Sequence, residues 1–214
     1  MPSRTPAQKP VLWIATRNRG KTREFSQLLR DVCRVRDLHG LPYFPEIRES
    51  GKTLAANARI KACALSRALA NRPILADDSG LVVPSLGGRP GVYSARFSGP
   101  QATDHSNRTK LLRLLRAKSG VLRTAYFEAC LVIAQNGAVL SSVSGRVWGR
   151  ITHVESGSRG FGYDSIFQPK GFSRTFGELP AATKHRISHR ARAVAKISPT
   201  ISRLLKPSRL RKRN

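Results

Sequence analysis

The chain has 214 residues, of which 40% are hydrophobic, so it holds enough apolar material for a folded core and too much for a disordered polyelectrolyte. It carries 39 Lys and Arg against 12 Asp and Glu, which gives a net charge of +27. Its apolar runs are far shorter than the ~20 residues that cross a bilayer, so a membrane-spanning protein is excluded.

The basic residues are partly concentrated at the two ends of the chain. Residues 1–10 and 203–214 together hold eight Lys and Arg and no acid, a composition typical of basic tails. We therefore predict one domain over residues 11–202, between a basic N-terminal tail and a basic C-terminal tail. Two explanations remain open for the charge of the domain: a biased composition, or a surface that binds nucleic acid without sequence specificity.

The N-terminus and the cysteines indicate a cytoplasmic protein. The apolar run over residues 11–15 is too short for a secretory signal, which needs ~7–15 such residues. Cys33, Cys63 and Cys130 are odd in number and have no Cys-x-x-Cys spacing. We therefore expect reduced thiols in the core.

Strand and helix patterns alternate in the first part of the chain. Residues 11–15 form a buried-strand run, and apolar residues at helical spacing follow over residues 21–30. The same spacing predicts a helix over residues 53–70, for which Ser50 and Thr53 are candidate caps.

The middle of the chain adds a strand and a loop. Residues 73–76 predict a short strand that ends at the carboxylates of Asp77 and Asp78, and residues 81–83 continue as a strand or its extension. Residues 86–99 are rich in Gly and Pro and predict a structured loop.

The second half predicts a helix, a hairpin and a last helix. Residues 104–118 have a helical pattern, and residues 125–133 alternate as a strand. Asn136-Gly137 predicts a tight turn to a partner strand over residues 138–143, and Ser188 is a candidate cap for the last helix. The alternation with an added hairpin predicts an α/β fold with a mixed sheet.

A polar loop with a glycine and a lysine separates the first strand from the first helix. The pattern Ala15-x4-Gly20-Lys21-Thr22 is a relaxed form of the P-loop, in which backbone N–H groups and the lysine bind phosphate. The alternative is a simple turn at Gly20 with a solvated Lys21. This motif alone leaves both interpretations open.

Two neighbouring carboxylates form the second candidate motif, Asp77-Asp78-Ser79-Gly80. Adjacent side chains on a strand point to opposite faces, so only one carboxylate can enter a given cleft while the other turns away or makes a structural hydrogen bond. A carboxylate beside a phosphate loop suits Mg²⁺. A solvated turn is the alternative.

The third candidate motif lies downstream. In Gly160-Phe161-Gly162-Tyr163-Asp164, glycines flank an aromatic ring on which a nucleobase can stack. Lys184 and Ser188-His189-Arg190 follow, and donors at a capped helix start suit the carbonyl edge of a purine. Each element alone is equally typical of core packing, but together they predict a nucleotide site.

In this order the motifs resemble those of the noncanonical purine nucleoside triphosphate pyrophosphatases, which act on inosine and xanthosine triphosphates. The resemblance spans residues 11–197, and a P-loop enzyme explains only the first two motifs. The matching segments are Ala15-Thr-Arg-Asn-Arg-Gly-Lys21 with Glu24, Ala76-Asp-Asp-Ser-Gly-Leu81, Leu86-Gly-Gly-Arg-Pro-Gly-Val-Tyr-Ser-Ala-Arg96, Phe161-Gly-Tyr-Asp164, and Lys184 with Ser188-His-Arg190.

The resemblance implies an elongated mixed α/β fold with two lobes around a central substrate cleft, in a homodimer. It implies hydrolysis of ITP, dITP, XTP and dXTP to the monophosphate and pyrophosphate, with Mg²⁺ as cofactor. It also implies that Asp78 binds the metal and accepts the proton of the attacking water. The implied substrate contacts are Thr16, Arg17, Asn18, Arg19, Gly20 and Lys21 at the phosphates, Ser79, which helps to position the substrate, and Phe161, Gly162, Tyr163, Asp164, Lys184, His189 and Arg190 around a base with a keto oxygen at position 6.

The chain departs from this family pattern near the expected metal. Arg48 stands where a metal-binding Glu is common, and Ala56 replaces another Glu. Glu49 is then a second candidate ligand beside Asp78. We expect a reduced activity, and a catalytically weakened relative that binds nucleic acid through its basic surface is the rival hypothesis.

Overall fold

The computed structural model describes residues 8–117 and 122–206. One sheet of six strands organises this part of the chain, in the order β2-β1-β3-β4-β5-β6. Strand β1 is parallel to β2 and β3, and the remaining pairs are antiparallel. The predicted mixed sheet is therefore confirmed. The strands are β1 (Val11–Ile14), β2 (Arg34–Arg36), β3 (Ile74–Val82), β4 (Thr124–Gln135), β5 (Ala138–Ile151) and β6 (Phe167–Pro169).

Five α-helices flank the sheet in the described ranges, and side-chain caps fix where four of them begin. Asn18 accepts a hydrogen bond from the Lys21 N–H, Thr53 from the Ala56 N–H, Thr103 from the Ser106 N–H, and Ser188 from the Ala191 N–H. The predicted caps Thr53 and Ser188 are thus confirmed, whereas Ser50 lies before the helix. The helices are α1 (Arg19–Leu28), α2 (Leu54–Ala68), α3 (Asp104–Arg116), α4 (Ala181–Ile187) and α5 (His189–Leu204).

The turn between β4 and β5 has the predicted form. Asn136 and Gly137 both have positive φ, at 51° and 81°, as a two-residue hairpin turn requires. Strand β5 continues far beyond the predicted residue 143, because it pairs with β4 along the length of both strands.

Strand β3 corrects the predicted strand end before the two carboxylates. It runs without interruption through Asp77 and Asp78, which pair in register with Leu131 and Cys130 of β4. Both carboxylates are buried and form ion pairs with cationic side chains. Because these partners stabilise the buried charges, the strand does not have to end in an exposed turn. The prediction of a strand ending at residue 76 is wrong for that reason.

Three apolar clusters position the functional residues. Helix α5 and α1 cover one face of the sheet through Ile197 and Phe25, and α2 covers the other face through Leu65. A third cluster around Phe127 and Phe167 fills the end formed by β4, β5 and β6. The site described below is lined by residues of the α2 cluster, such as Leu38, and of the third cluster, such as Phe127.

The C-terminal boundary of the folded domain also differs from the predicted one. Helix α5 continues through residue 203 to Leu204, and Leu204 and Leu205 pack against the core, so the predicted tail boundary at residue 203 is wrong. Residues 1–7 and 207–214 of the predicted tails lie outside the described residues. Within residues 8–117 and 122–206, none of the helices combines the length and the apolar composition that a membrane crossing requires.

Candidate active site

A cavity of about 340 Å³ opens between the polar loop after β1 and the segment before β6. It brings together most of the residues predicted for the site. Those that line it are Thr16, Arg17, Asn18, Lys21, Asp78, Ser79, Phe161, Gly162, Tyr163, Asp164, Lys184, His189 and Arg190, together with Glu49. Arg19 and Gly20 instead line a neighbouring groove.

The loop after β1 presents hydrogen-bonding groups to the cavity. The hydroxyl of Thr16 accepts from the Asn18 N–H at 3.1 Å, and Asn18 caps α1. A Cβ on Gly20 would lie 2.7 Å from the ring of Phe161. A side chain at residue 20 would therefore displace this ring from the start of α1.

Asp77 and Asp78 point to opposite faces of β3, as the period of a strand requires. Asp77 is fully buried, and its Oδ2 forms ion pairs with Arg190 Nη2 at 3.0 Å and with Lys21 Nζ at 3.1 Å. These two cations hold the pKa of Asp77 far below its ordinary value, although burial opposes them. The sequence prediction that one of the pair makes a structural contact is confirmed for Asp77.

Asp78 faces the cavity and both of its oxygens have partners. Lys61 of α2 donates to Oδ1 at 2.7 Å, and the side-chain amide of Asn57 donates to Oδ2 at 3.3 Å. Asn57 also accepts from the Gly51 N–H at 2.8 Å. It thereby ties the segment that carries Glu49 to the same carboxylate.

Lys61 joins Asp78 to a second carboxylate. Its ammonium lies 3.3 Å from Glu49 Oε1 and 2.7 Å from Asp78 Oδ1. Burial raises the pKa of Asp78, and the Lys61 ammonium opposes that rise. The two carboxylates therefore converge on one cation at the wall of the cavity.

A buried ionic network closes the other end of the cavity. Lys184 donates to Glu24 at 2.6 Å and to Asp164 at 2.5 Å, and Arg190 contacts both Glu24 and Asp77. Burial alone would raise the pKa of Glu24, but Arg190 and Lys184 lower it to about 2. Each cation in the network thus faces at least one carboxylate.

His189 and Phe161 supply the aromatic surfaces of this end. The His189 ring stacks on Phe127 with centroids 4.9 Å apart, and burial next to Arg190 holds its pKa well below the ordinary value. Its Nδ1 finds no partner among residues 8–117 and 122–206. Lys184 and Arg190 both lie over the ring of Phe161.

The sequence prediction missed two residues of the site. Lys61 shares the helical spacing of the apolar face of α2, and Asn57 lies one turn before it; both are buried beside Asp78. A lysine on the apolar face of a helix was the available signal, because a buried lysine needs a carboxylate partner.

Of the carboxylates that line the cavity, Asp78 and Glu49 lie together at Lys61 and are the candidates for a metal ion. The described part of the chain holds no group of three or more His, Cys, Asp and Glu side chains arranged for a metal. Mg²⁺ commonly binds through one or two carboxylates together with substrate phosphates, so Asp78 and Glu49 fit that requirement. Arg48 is exposed and does not line the cavity.

The chain is similar to known proteins over nearly the whole domain. The sequence model of the Ham1 family matches residues 12–200. A dITP/XTP pyrophosphatase of Streptomyces avermitilis is 42% identical over 91% of this chain and 98% of its own, and one of Geobacillus kaustophilus is 44% identical over 86% and 90%. Among solved structures, the Ham1 protein of Staphylococcus aureus superposes with a TM-score of 0.77 at 34% identity, covering 89% of this chain and 97% of its own.

Proposed function

Because the chain belongs to the Ham1 family, we propose that it hydrolyses noncanonical purine nucleoside triphosphates, namely ITP, dITP, XTP and dXTP, to the monophosphate and pyrophosphate. The observation that carries this assignment is Asp78, a buried carboxylate held by Lys61 and Asn57 at the wall of a cavity lined by a phosphate loop. The cavity has the size of a small-molecule site.

The phosphate end of the substrate lies at the loop after β1 in this proposal. Thr16 and Asn18 offer hydroxyl and amide groups there, and the start of α1 favours negative charge. Lys21 is bound to Asp77, so it reaches the triphosphate as part of an ion pair. Arg17 lines the same wall and adds a positive charge at the mouth.

Asp78 and Glu49 are the residues that would hold Mg²⁺. The ion, when bound, would neutralise phosphate charge and polarise the α–β phosphoanhydride. Lys61 holds the two carboxylates together in the absence of another cation. Arg48 and Ala56 supply no carboxylate, so we propose that this chain binds Mg²⁺ more weakly than its relatives and turns over more slowly.

Asp78 is also the proton acceptor for the attacking water. Burial raises its pKa, and a more basic carboxylate accepts a proton more readily. Asn57 and Lys61 hold its two oxygens, so they orient the carboxylate relative to the phosphates. Water that attacks the α-phosphorus loses its proton to Asp78 and displaces pyrophosphate.

The base end favours a keto oxygen at purine position 6. Phe161 provides a half-buried ring on which a base can stack. His189 is held neutral and carries one ring N–H as a donor. An adenine amino group would meet a donor instead of an acceptor, which leaves buried groups unpaired and disfavours adenine nucleotides.

Two broader properties belong to the same proposal. We propose a homodimer, as the resemblance to the family implies, and sedimentation of the purified chain tests it. We place the protein in the cytoplasm, because Cys33, Cys63 and Cys130 are all free and buried.

The products of dITP hydrolysis test the proposed reaction. With Mg²⁺ present, we expect dIMP and pyrophosphate in equal amounts, and Asp78→Asn should lower the rate by at least about 10²-fold because it removes the proton acceptor. Asp31→Asn, at an exposed carboxylate, is the matched control and should retain activity. Release of inorganic phosphate and dIDP, or an active Asp78→Asn variant, would contradict the assignment.

A further inference from the structure

A second concave surface adjoins the active-site cavity. It is an open groove of about 1370 Å³ between α1, α4 and the loop before Phe161, here called the α1–α4 groove. Phe161 and Lys184 line both the groove and the active-site cavity. Of the groove residues, the hydrolysis reaction proposed above uses only Phe161, as the stacking surface for the base.

Exposed arginines dominate the rim of the α1–α4 groove. Arg19, Arg23, Arg159 and Arg186 all line it and are exposed. None of the four forms an ion pair with a carboxylate in residues 8–117 and 122–206. Arg159 donates one hydrogen bond to the carbonyl oxygen of Glu178, which leaves its charge unneutralised.

Three acids line the groove, against six Lys and Arg side chains, and each acid has a partner of its own. Glu24 is bound by Lys184 and Arg190. Asp31 lies beside Arg30 at 3.5 Å. Asp37 accepts from the Thr22 hydroxyl at 2.6 Å and from the His39 N–H. The surface therefore presents an excess of positive charge to solvent.

Helix α1 gains no stability from its arginines in this arrangement. Its first turn contains no acid, although a helix N-terminus favours negative charge. Arg19 and Arg23 are four residues apart, and like charges at this spacing destabilise a helix. A bound anion would relieve both unfavourable interactions.

The size and lining of the groove favour an extended anion over a single nucleotide. Its volume exceeds the roughly 300–1,000 Å³ of typical small-molecule sites. The arginines come from α1, from the loop at residue 159 and from α4, so they can contact successive phosphates along one strand. The half-buried ring of Phe161 supplies a stacking surface that suits an unpaired base.

From this combination we propose that the α1–α4 groove binds the phosphodiester backbone of single-stranded nucleic acid, without sequence specificity and through Arg23, Arg159 and Arg186, which the proposed hydrolysis does not use. The arginine side chains supply the charge, and Phe161 favours a single strand over a duplex. The proposal therefore attributes nucleic-acid binding to particular residues and not to the net charge of the chain.

The test compares two full-length variants that lose the same charge. One carries Arg23→Gln, Arg159→Gln and Arg186→Gln in the groove. The control carries Arg59→Gln, Arg72→Gln and Arg113→Gln, at exposed arginines that line none of the described cavities. Binding of a labelled oligothymidine is followed by fluorescence anisotropy between about 50 and 200 mM salt, and thermal unfolding midpoints check that both variants fold like the parent chain.

We expect the groove variant to bind oligothymidine at least about tenfold more weakly at low salt, with a log–log salt slope shallower by about 2, because about 0.7 ion is released per phosphate contact. The control should bind within about twofold of the parent chain, since each lost long-range charge is screened. Equal losses in both variants, no loss in either, or tighter binding of a duplex than of oligothymidine would overturn the proposal.

Discussion

Lys61 partly neutralises the two carboxylates beside the cavity, Glu49 and Asp78. Its ammonium lies within 3.3 Å of both Glu49 and Asp78, so the pair is neutralised in part without any metal. Two carboxylates that approach one another without a cation repel, and the repulsion is strong because Asp78 is buried. In the proposed metal site, the ammonium and a divalent cation would therefore compete for the same pair of oxygens.

Replacement of Lys61 by Met should make the fold depend on Mg²⁺. We expect the metal-free variant to melt at a lower temperature than the parent chain, and added Mg²⁺ to raise its melting temperature by more than it raises that of the parent. The measurement is thermal unfolding with and without Mg²⁺. The exposed Lys52→Met variant is the matched control. An equal response to Mg²⁺ in Lys61→Met and the parent chain would show that Lys61 and the metal do not share these carboxylates.

A carboxylate at position 48 should strengthen the metal site. Arg48 is next to Glu49 in the chain and exposed outside the cavity, so a Glu at this position adds negative charge beside the proposed metal site without entering the core. We expect Arg48→Glu to lower the Mg²⁺ concentration for half-maximal activity by about tenfold, because negative charge near the site attracts the ion. Arg48→Gln separates the loss of positive charge from the gain of negative charge. If both variants respond alike, only the loss of the positive charge affects Mg²⁺ binding.

The sequence contains enough information to place some residues of the site and not others. The alternation of a strand predicts that Asp77 and Asp78 separate, and they do. Which of the two faces the cavity follows only from the family resemblance or from the structure. The role of Lys61 could not be predicted. Helical spacing shows that Lys61 lies on the apolar face of α2, but it does not show which strand packs against that face. Its partner Asp78 lies on β3, seventeen residues later in the chain.

At the scale of elements, one ionic network holds four of them together. Glu24 of α1 binds Lys184 of α4 and Arg190 of α5, and Arg190 binds Asp77 of β3. The carboxylate of Glu24 is needed in its ionised form for both of its contacts. Acid should therefore weaken the attachment of α1 to the rest of the fold.

The stability of the fold should depend on pH through the protonation of Glu24. Its pKa falls from 4.5 to about 2 on folding, so its contribution is complete above pH about 4.5 and is lost as the pH falls toward 2. The shift corresponds to a stabilisation on the order of 3 kcal/mol. We expect Glu24→Gln to be less stable at neutral pH and to lose less stability between pH 5 and 2. Chemical unfolding at several pH values measures both.

The exposed Glu46→Gln variant is the control for this measurement. It should follow the parent chain at each pH. A Glu24→Gln variant whose stability falls with acid as steeply as that of the parent chain would show that Glu24 is not the group that titrates.

The elements differ in how far local sequence predicts them. Helix α2 and the β4–β5 turn carry their own caps and turn residues, so their prediction succeeds. Strand β3 carries charged residues that are typical of a strand end, and only pairing with β4 and distant cations keep them inside the sheet. The short β2 and β6, of three residues each, depend on their neighbours in the sheet and have no pattern of their own.

At the scale of the whole molecule, the net charge of +27 does not come from the site. Lys21, Lys184 and Arg190 are matched by Glu24, Asp77 and Asp164 in the buried network. The excess is therefore carried by other residues, including the exposed arginines of the α1–α4 groove. This arrangement allows hydrolysis and polyanion binding to be separate properties of one chain.

The most direct test of the central claim is the ratio of kcat/KM for dITP and dATP in the presence of Mg²⁺. A cavity with donors at the purine 6-position and Asp78 as proton acceptor predicts pyrophosphate release from dITP with a kcat/KM at least about 10²-fold above that for dATP. Equal kcat/KM values for the two nucleotides, or no pyrophosphate from dITP at saturating Mg²⁺, would contradict it.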